Sequence, residues 1–242
     1  MKIPLIVLFL FALQFWGCEE DDPLVRDNPY NGKSTAVFNP DVKYGKVTDA
    51  DGNSYRTVVI GGQTWMAENL RTTHFRNGDP IPEITDTTEW ATTTAGAYCT
   101  YNNTGSVDTI ATYGRLYNWY AVADSCKLAP EGWRVPTIID WDTLIEYLGG
   151  DTLAGNKLKE VGIFHWEDPY QSDNGSGFTA LPGGRRYLSK PTNDMGFYAT
   201  FWSSSEYDPD RAGFLYLYDF DSFVWRGINF KNNGYSIRCI KE

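Results

Sequence analysis

Hydrophobic positions along this chain follow two periods, and the helical one is clearest between Gly114 and Gly150. There Trp141, Leu144, Ile145 and Leu148 fall at i, i+3, i+4 and i+7, the spacing of one buried helix face. The pattern predicts a main helix over about 137–148. Thr137 and Asp140 resemble a capping box at its start, Pro136 restricts the chain just before it, and Gly149 is placed to end it in a left-handed turn. A shorter second helix is expected over Leu153–Val161, with Ala154, Leu158 and Val161 facing inward and Gly162 ending it.

The remaining apolar segments read as strands. Lys46–Thr48 and Tyr55–Ile60 form an N-terminal hairpin, turning on Asp49–Asn53, where Asp51-Gly52 supplies the positive φ. Gly61–Leu70 re-enters the core through Trp65, Met66 and Leu70, and the Thr- and Pro-rich stretch 71–97 reads as a long ordered loop. Ala97–Asn103 is a short strand into a turn, and Tyr113–Val122 an aromatic, strand-like run. Two Gly/Ser-rich stretches follow the helices, GSGFTALPGGRRY and FWSSSEYD, each with an aromatic entering the core. The C-terminus reads as three strands, Gly213–Phe220, Phe223–Phe230 and Tyr235–Ile240, the last two joined as a hairpin by Asn232-Asn233-Gly234. The fold class is α+β with β dominating.

Composition narrows the function. With 242 residues, 42% hydrophobic and 16% aromatic, the chain can build a full core, and it shows no repeat of solenoid or propeller period. Its 31 acidic against 21 basic residues, with no basic run, argue against binding nucleic acid. Metal ligands are poorly placed: the cysteines are scattered, His74 and His165 have no neighbouring ligand in sequence, and Asp49, Asp51 and Asn53 lack the closing Glu of a calcium loop. The same two histidines, and Ser203–Ser205 outside any strand–elbow–helix context, give no nucleophilic triad. Glu131, Glu146 and Glu160 read as solvated helix and loop positions rather than as a glycosidase pair.

The N-terminus resembles a bacterial lipoprotein signal. MKIPLIVLFLFALQFWGC has one positive charge, an apolar run too short to span a membrane, and Gly17 before Cys18, the position of thioether lipidation; Phe15 and Trp16 are bulkier than that pattern prefers. Glu19-Glu20-Asp21-Asp22 resembles the acidic run that some Gram-negative lineages use for export to the cell surface, although a polar linker would look the same. The organisation expected is a signal peptide over 1–17, an acylated Cys18 with a flexible acidic linker over 18–43, and a domain over 44–242. Lipid chains would then be the only membrane attachment, at the outer membrane and facing the cell surface.

Within that domain an ordered set of motifs runs IGGQTWMAENL, AYCTYNN, YGRLYNWYAV, LAPEGWRVP with Trp141, LGG, GFTALPGG, FWSSSEY and GYSIRCI. It resembles the Fibrobacter succinogenes major paralogous domain (FISUMP), found on many bacterial surface lipoproteins. That family is similar to the C-type lectin-like fold and to formylglycine-generating domains, so the resemblance implies a C-type lectin-like architecture. It also places cysteines at Cys99 and Cys239, implying a disulfide between them; Cys126–Cys239 is the alternative, resembling a lectin bridge. The Glu-Pro-Asn and Trp-Asn-Asp runs of lectin calcium sites are missing. Calcium, the one cofactor to consider, would have only Glu206–Asp210 and Asp219–Asp221, which read more simply as loop and turn residues.

The function expected is a non-catalytic surface module for polysaccharide binding or adhesion, using exposed aromatic rings against sugar faces. Trp90, Trp166, Tyr170, Tyr207 and Trp225 are the candidates, while Trp65, Trp119, Trp133, Trp141 and Trp202 are assigned to the core. The alternative is a structural or assembly protein that binds other proteins. An enzyme related to formylglycine-generating domains is a further alternative, disfavoured because no two of Cys99, Cys126 and Cys239 are adjacent in sequence.

Overall fold

Strands β1 (Gly45–Thr48), β2 (Ser54–Ile60) and β3 (Gln63–Met66) form a meander. Two short strands, β6 (Trp133–Arg134) and β12 (Ile240–Lys241), extend it in the order β1-β2-β3-β12-β6. A second sheet has the order β11-β10-β9-β7-β8, from β7 (Gly183–Arg186), β8 (Thr192–Met195), β9 (Tyr198–Glu206), β10 (Arg211–Tyr218) and β11 (Val224–Phe230). The pair β4 (Tyr98–Cys99) and β5 (Leu116–Tyr117) stands apart from both. Strand pairing is antiparallel except between β7 and β9. The helices are short: α1 (Thr87–Thr92), α2 (Val107–Tyr113), α3 (Trp119–Ala123), α4 (Ile138–Tyr147) and α5 (Asp151–Leu158). This computed structural model describes residues 32–168, 170–188 and 190–242; the signal-like segment, Cys18 and the acidic run after it lie outside the described residues.

Helix α4 forms for the reasons its sequence gives. The Thr137 hydroxyl accepts the Asp140 N–H while the Asp140 carboxylate accepts the Thr137 N–H, satisfying two end donors at once. Arg134 adds a two-pronged ion pair to the same carboxylate, at 2.6 and 2.7 Å. Trp141, Leu144, Ile145 and Leu148 are all buried. The second helix starts earlier than expected and stops at Leu158, so Val161 is exposed and Gly162 follows the helix at a distance.

Other departures have physical causes. The long loop contains α1, nucleated by Asp86, whose carboxylate takes the N–H groups of Thr88 and Glu89. The aromatic run Tyr113–Val122 is strand only at β5; Asn118 then caps α3 through the Ala121 N–H. The Ser-rich FWSSSEY supplies most of β9, the middle strand of its sheet. Asn232-Asn233-Gly234 does not close a hairpin: β11 pairs with β10 alone, and the segment after the turn takes its partners elsewhere. Past that turn the chain crosses over: Tyr235 exchanges bonds with Tyr117, Ser236 meets Thr200 and Trp202, and Ile240 pairs with Trp65 and Arg134.

This crossing segment separates the two large hydrophobic clusters. Tyr235, Ile237 and Cys239 point into one, with Trp202, Phe214, Tyr117 and Trp133; Ile240 points into the other, with Trp65, Trp141, Phe178 and Phe201. Between them Arg238 is fully buried. Its Nε donates to Asn69 Oδ1 (2.6 Å), Nη1 to the carbonyls of Met66 (3.2 Å) and Phe178 (2.7 Å), and Nη2 to that of Thr179 (2.8 Å). Burial pulls its pKa down to about 9, with Glu68 opposing, so the guanidinium is charged at neutral pH.

Residues 32–43, expected as flexible linker, lie docked on the domain. The Thr35 hydroxyl bonds His165 Nε2 at 2.8 Å, the Val37 N–H bonds the buried Glu160 carboxylate, and Asn39 Nδ2 reaches the Asn174 carbonyl at 3.0 Å. Phe38 and Val42 pack on the second cluster, and the Arg56 guanidinium covers the Phe38 ring at 4.1 Å. A sequence rich in Asp, Asn and Pro hides these contacts, because two apolar side chains carry the packing.

Two outcomes test this account. Arg238→Met strands four oxygens of two segments and lowers stability by about 3–5 kcal/mol in urea unfolding. For Asp140, burial would raise the carboxyl, but Arg134 and Thr137 overcome it and hold the pKa at about 2, below the ordinary 3.8. Its contribution is therefore complete above about pH 4 and disappears as the pH falls towards 2. Asp140→Asn should flatten the stability profile in that window and cost about 1–2 kcal/mol at pH 7.

Candidate functional site

Along β9 and β10, side chains alternate between the two clusters, and at the open end of one face the ring density spills into solvent. Tyr198 on β9 lies in register with Tyr218 on β10, and Tyr216 with Trp225 on β11. Tyr198 and Tyr218 stack at 4.3 Å and 16°, and the Arg185 guanidinium of β7 sits 3.8 Å from the Tyr198 centroid. Arg185 is held in turn by Asp194 at 2.7 Å. Tyr216 and Trp225 lie parallel, 8° apart in plane, with centroids 6.1 Å apart. The β10–β11 turn adds Phe220 against Tyr218 and Phe223 against Trp225, at 4.1 and 4.7 Å.

The inner tyrosines make the face stiff, since their rings are occupied by one another and by Arg185. The outer rings are the accessible ones: Phe220 is 53% and Trp225 41% exposed. Asp221 orients Trp225 by accepting its indole N–H at 3.2 Å, and Asp194 and Arg185 put charged hydrogen-bonding groups at the other margin. Hydrogen bonding to Tyr198, with some burial, pushes the Tyr218 phenol up to about 12, so this face keeps a neutral hydroxyl through the physiological range. Stiff rings edged with polar groups suit a ligand with apolar faces and polar edges.

Of the predicted aromatic candidates, the structure brings Trp225 and Tyr170 to this region. Tyr170 is 46% exposed, and its N–H bonds the Asp219 carbonyl of the β10–β11 turn. Tyr207 is exposed but stands past the opposite end of β9, beneath Arg211. Trp90 and Trp166 are corrected to core residues. Trp90 is buried in α1, donates to the Asn232 carbonyl and lies under Arg186 at 4.4 Å; Trp166 is buried and donates to the Ala180 carbonyl. Tyr198, Tyr216, Tyr218 and Phe220 escaped the sequence reading. The signal available was Tyr216, Tyr218 and Phe220 at every second position along β10 and into its turn.

The cysteine expectation is also corrected. Cys99, Cys126 and Cys239 are free thiols. Cys99 lies in a small cluster with Ile84, Trp90, Ala97 and Leu116, and Cys239 in the large one around Trp202, so the pair is divided between two packing units. Cys126 is partly exposed, 3.8 Å from the Asp79 carboxylate. Burial pushes Cys99 up to about 11 and Cys239 higher still.

His165, which has no neighbouring partner in sequence, and Glu160, expected as a solvated position but fully buried, form a pair at 2.6 Å whose far imidazole nitrogen meets the Thr35 hydroxyl. The order hydroxyl–imidazole–carboxylate is that of a nucleophile relay. Here, however, Thr35 also engages Thr112 through both its N–H and its hydroxyl at 3.1 Å, and Glu160 holds the Val37 N–H. The trio thus clamps the N-terminal arm. In the Asp49–Asn53 turn the carboxylate of Asp49 is consumed by the N–H groups of Asp51 and Asn53, by Asn53 Nδ2 and by the Tyr55 hydroxyl. Among the described residues no group of three or more His, Cys, Asp or Glu is placed to hold a metal ion.

Fold and surface together define an α+β domain of mainly antiparallel sheets with a solvent-facing aromatic field on one of them. The chain belongs to the Fibrobacter succinogenes major domain family, whose model matches residues 58–241. Comparison with curated proteins and with solved structures finds no match. The motif glycines make structural sense: in YGRLYNWYAV, Gly114 has φ +73° and a Cβ there would lie 2.7 Å from the Leu70 carbonyl oxygen. For the thiols, native protein without reductant should show Cys126 alone of the three reacting with a thiol reagent, and all three after unfolding. Protection of any pair in the unfolded chain would mean a disulfide.

Proposed function

We propose that this domain is a non-catalytic binding module that recognises polysaccharide by stacking sugar rings on Phe220 and Trp225. The observation that carries the reading is the aromatic field itself, with its exposed outer rings, fixed inner rings and flanking Asp194–Arg185 pair. Pyranose rings have apolar faces and hydroxyl edges, the two features such a surface complements. The clamp role of Thr35, His165 and Glu160 supports the non-catalytic part of the reading.

The proposal extends to setting and architecture. The lipobox-like Cys18 and the acidic run after it support a lipoprotein on the outer membrane, facing outward; the family resemblance supports a C-type lectin-like arrangement of the sheets. A second reading, adhesion or assembly through protein, draws on edge strand β11, where Ile228 and Phe230 are exposed beside unpaired main-chain groups.

Affinity electrophoresis of the chain in gels containing soluble glycans tests the first reading. Retardation by one glycan class should weaken about 3–10-fold in Trp225→Ala and in Phe220→Ala, and stay unchanged in Tyr207→Ala. Retardation that survives both ring deletions, or none with any glycan, removes the sugar-binding reading and turns the search to protein ligands at β11.

A further inference from the structure

Lys159 follows α5 directly and is fully buried, yet among the described residues no carboxylate lies within salt-bridge distance of its ammonium. It donates instead to three main-chain carbonyls of one turn: Tyr218 at 3.1 Å, Asp219 at 2.9 Å and Asp221 at 2.7 Å. The carboxylates of Asp168, Asp219 and Asp221 surround it at longer range, and the Trp166 ring closes the site at 5.5 Å. Burial lowers the lysine to about 8 while those carboxylates oppose the shift, so it carries its charge at neutral pH. Carbonyl oxygens from a tight turn, backed by carboxylates and converging on one positive point, are the donor set of a hard divalent cation.

The turn so held is the one that bears the exposed rings. Asp219 Oδ1 accepts the Phe220 N–H, Asp221 Oδ1 the Phe223 N–H, and Asp221 Oδ2 the Trp225 indole. From below, the Gly155 N–H of α5 bonds the Ser222 carbonyl at 3.0 Å, an approach so close that a Cβ on Gly155 would sit 2.4 Å from that oxygen.

We infer that Lys159 is a built-in cation: its ammonium takes the place of a divalent ion in the oxygen cage of residues 218–221 and positions Phe220 and Trp225 without a metal. Three N–H donors meet three carbonyls, and the charge is supplied by the chain itself. The consequence for ligand binding rests on the aromatic face being the binding surface; the cage itself does not.

Thermal unfolding of the full chain provides the test, read in about 5 mM calcium and in chelator. Wild type should melt at the same temperature in both. Lys159→Ser empties the cage, and in chelator its Tm should fall by roughly 5–10 °C. Calcium at about 1–10 mM should restore several degrees. Lys159→Met fills the space without charge or donors, and should melt as low as the serine variant in either buffer. Wild-type stability in Lys159→Met, or a serine variant indifferent to calcium, overturns the inference. Should the serine variant fold poorly, its refolding yield with and without calcium gives the same reading. A failed glycan experiment with these melting results intact would sink the proposed function and leave the cage standing.

Discussion

The structure depends on one buried guanidinium. Arg238 stands on the C-terminal crossing between the two large clusters, and its four hydrogen bonds go to neutral oxygens from two segments far apart in sequence, Met66–Asn69 and Phe178–Thr179. Each of those oxygens would be stranded in an apolar interior if the donor were missing, which is far costlier than the modest net gain from any one bond. The register of the C-terminal crossing is set accordingly: a shift of one residue would swap Arg238 with Ile237 or Cys239 and drive a charge into a packed aromatic cluster.

The same solution recurs at two other places. Arg186 donates to the carbonyls of Ile84, Thr85 and Asp86 and lies over Trp90, which fixes the start of α1. Lys159 gathers the β10–β11 turn under Trp166. An acidic chain thus keeps part of its scarce positive charge inside, where it organises irregular backbone that no ladder of strands could satisfy. Irregular segments of this kind carry the exposed rings, so the internal cations and the candidate binding face belong to one scheme.

How much of this could be read from the sequence varies by element. Helix α4 was fully legible, because its cap, its apolar period and its terminal glycine are local and agree. The hairpin β1–β2 was legible for the same reason. Strand β9 was not: Ser203, Ser204 and Ser205 look like loop chemistry, and only the β10 pairs on either side of them and their bonds to Val135, Pro136 and Ile138 make them strand. Asn232-Asn233-Gly234 misled because its turn propensity is real, while its outcome was decided by the partners that Tyr235 and Ser236 find on Tyr117, Thr200 and Trp202. At the candidate face, Trp225 was named in advance, but Trp90 and Trp166 looked equally eligible. A tryptophan in a polar neighbourhood of sequence can still be roofed by an arginine or a lysine from far along the chain. The cysteines carried no local signal at all, and the motif resemblance implied a pairing that the packing does not make.

The docked arm before β1 has a mechanical meaning. Any pull delivered through the residues preceding Gly32 first loads the contacts of Gly32 with Asp108, Thr35 with His165 and Val37 with Glu160, one after another. Those bonds peel singly, whereas the β1–β2 ladder behind them includes four residue pairs that share load. Force applied there would free about a dozen residues before it reached the sheets, so the arm would yield ahead of the fold it covers.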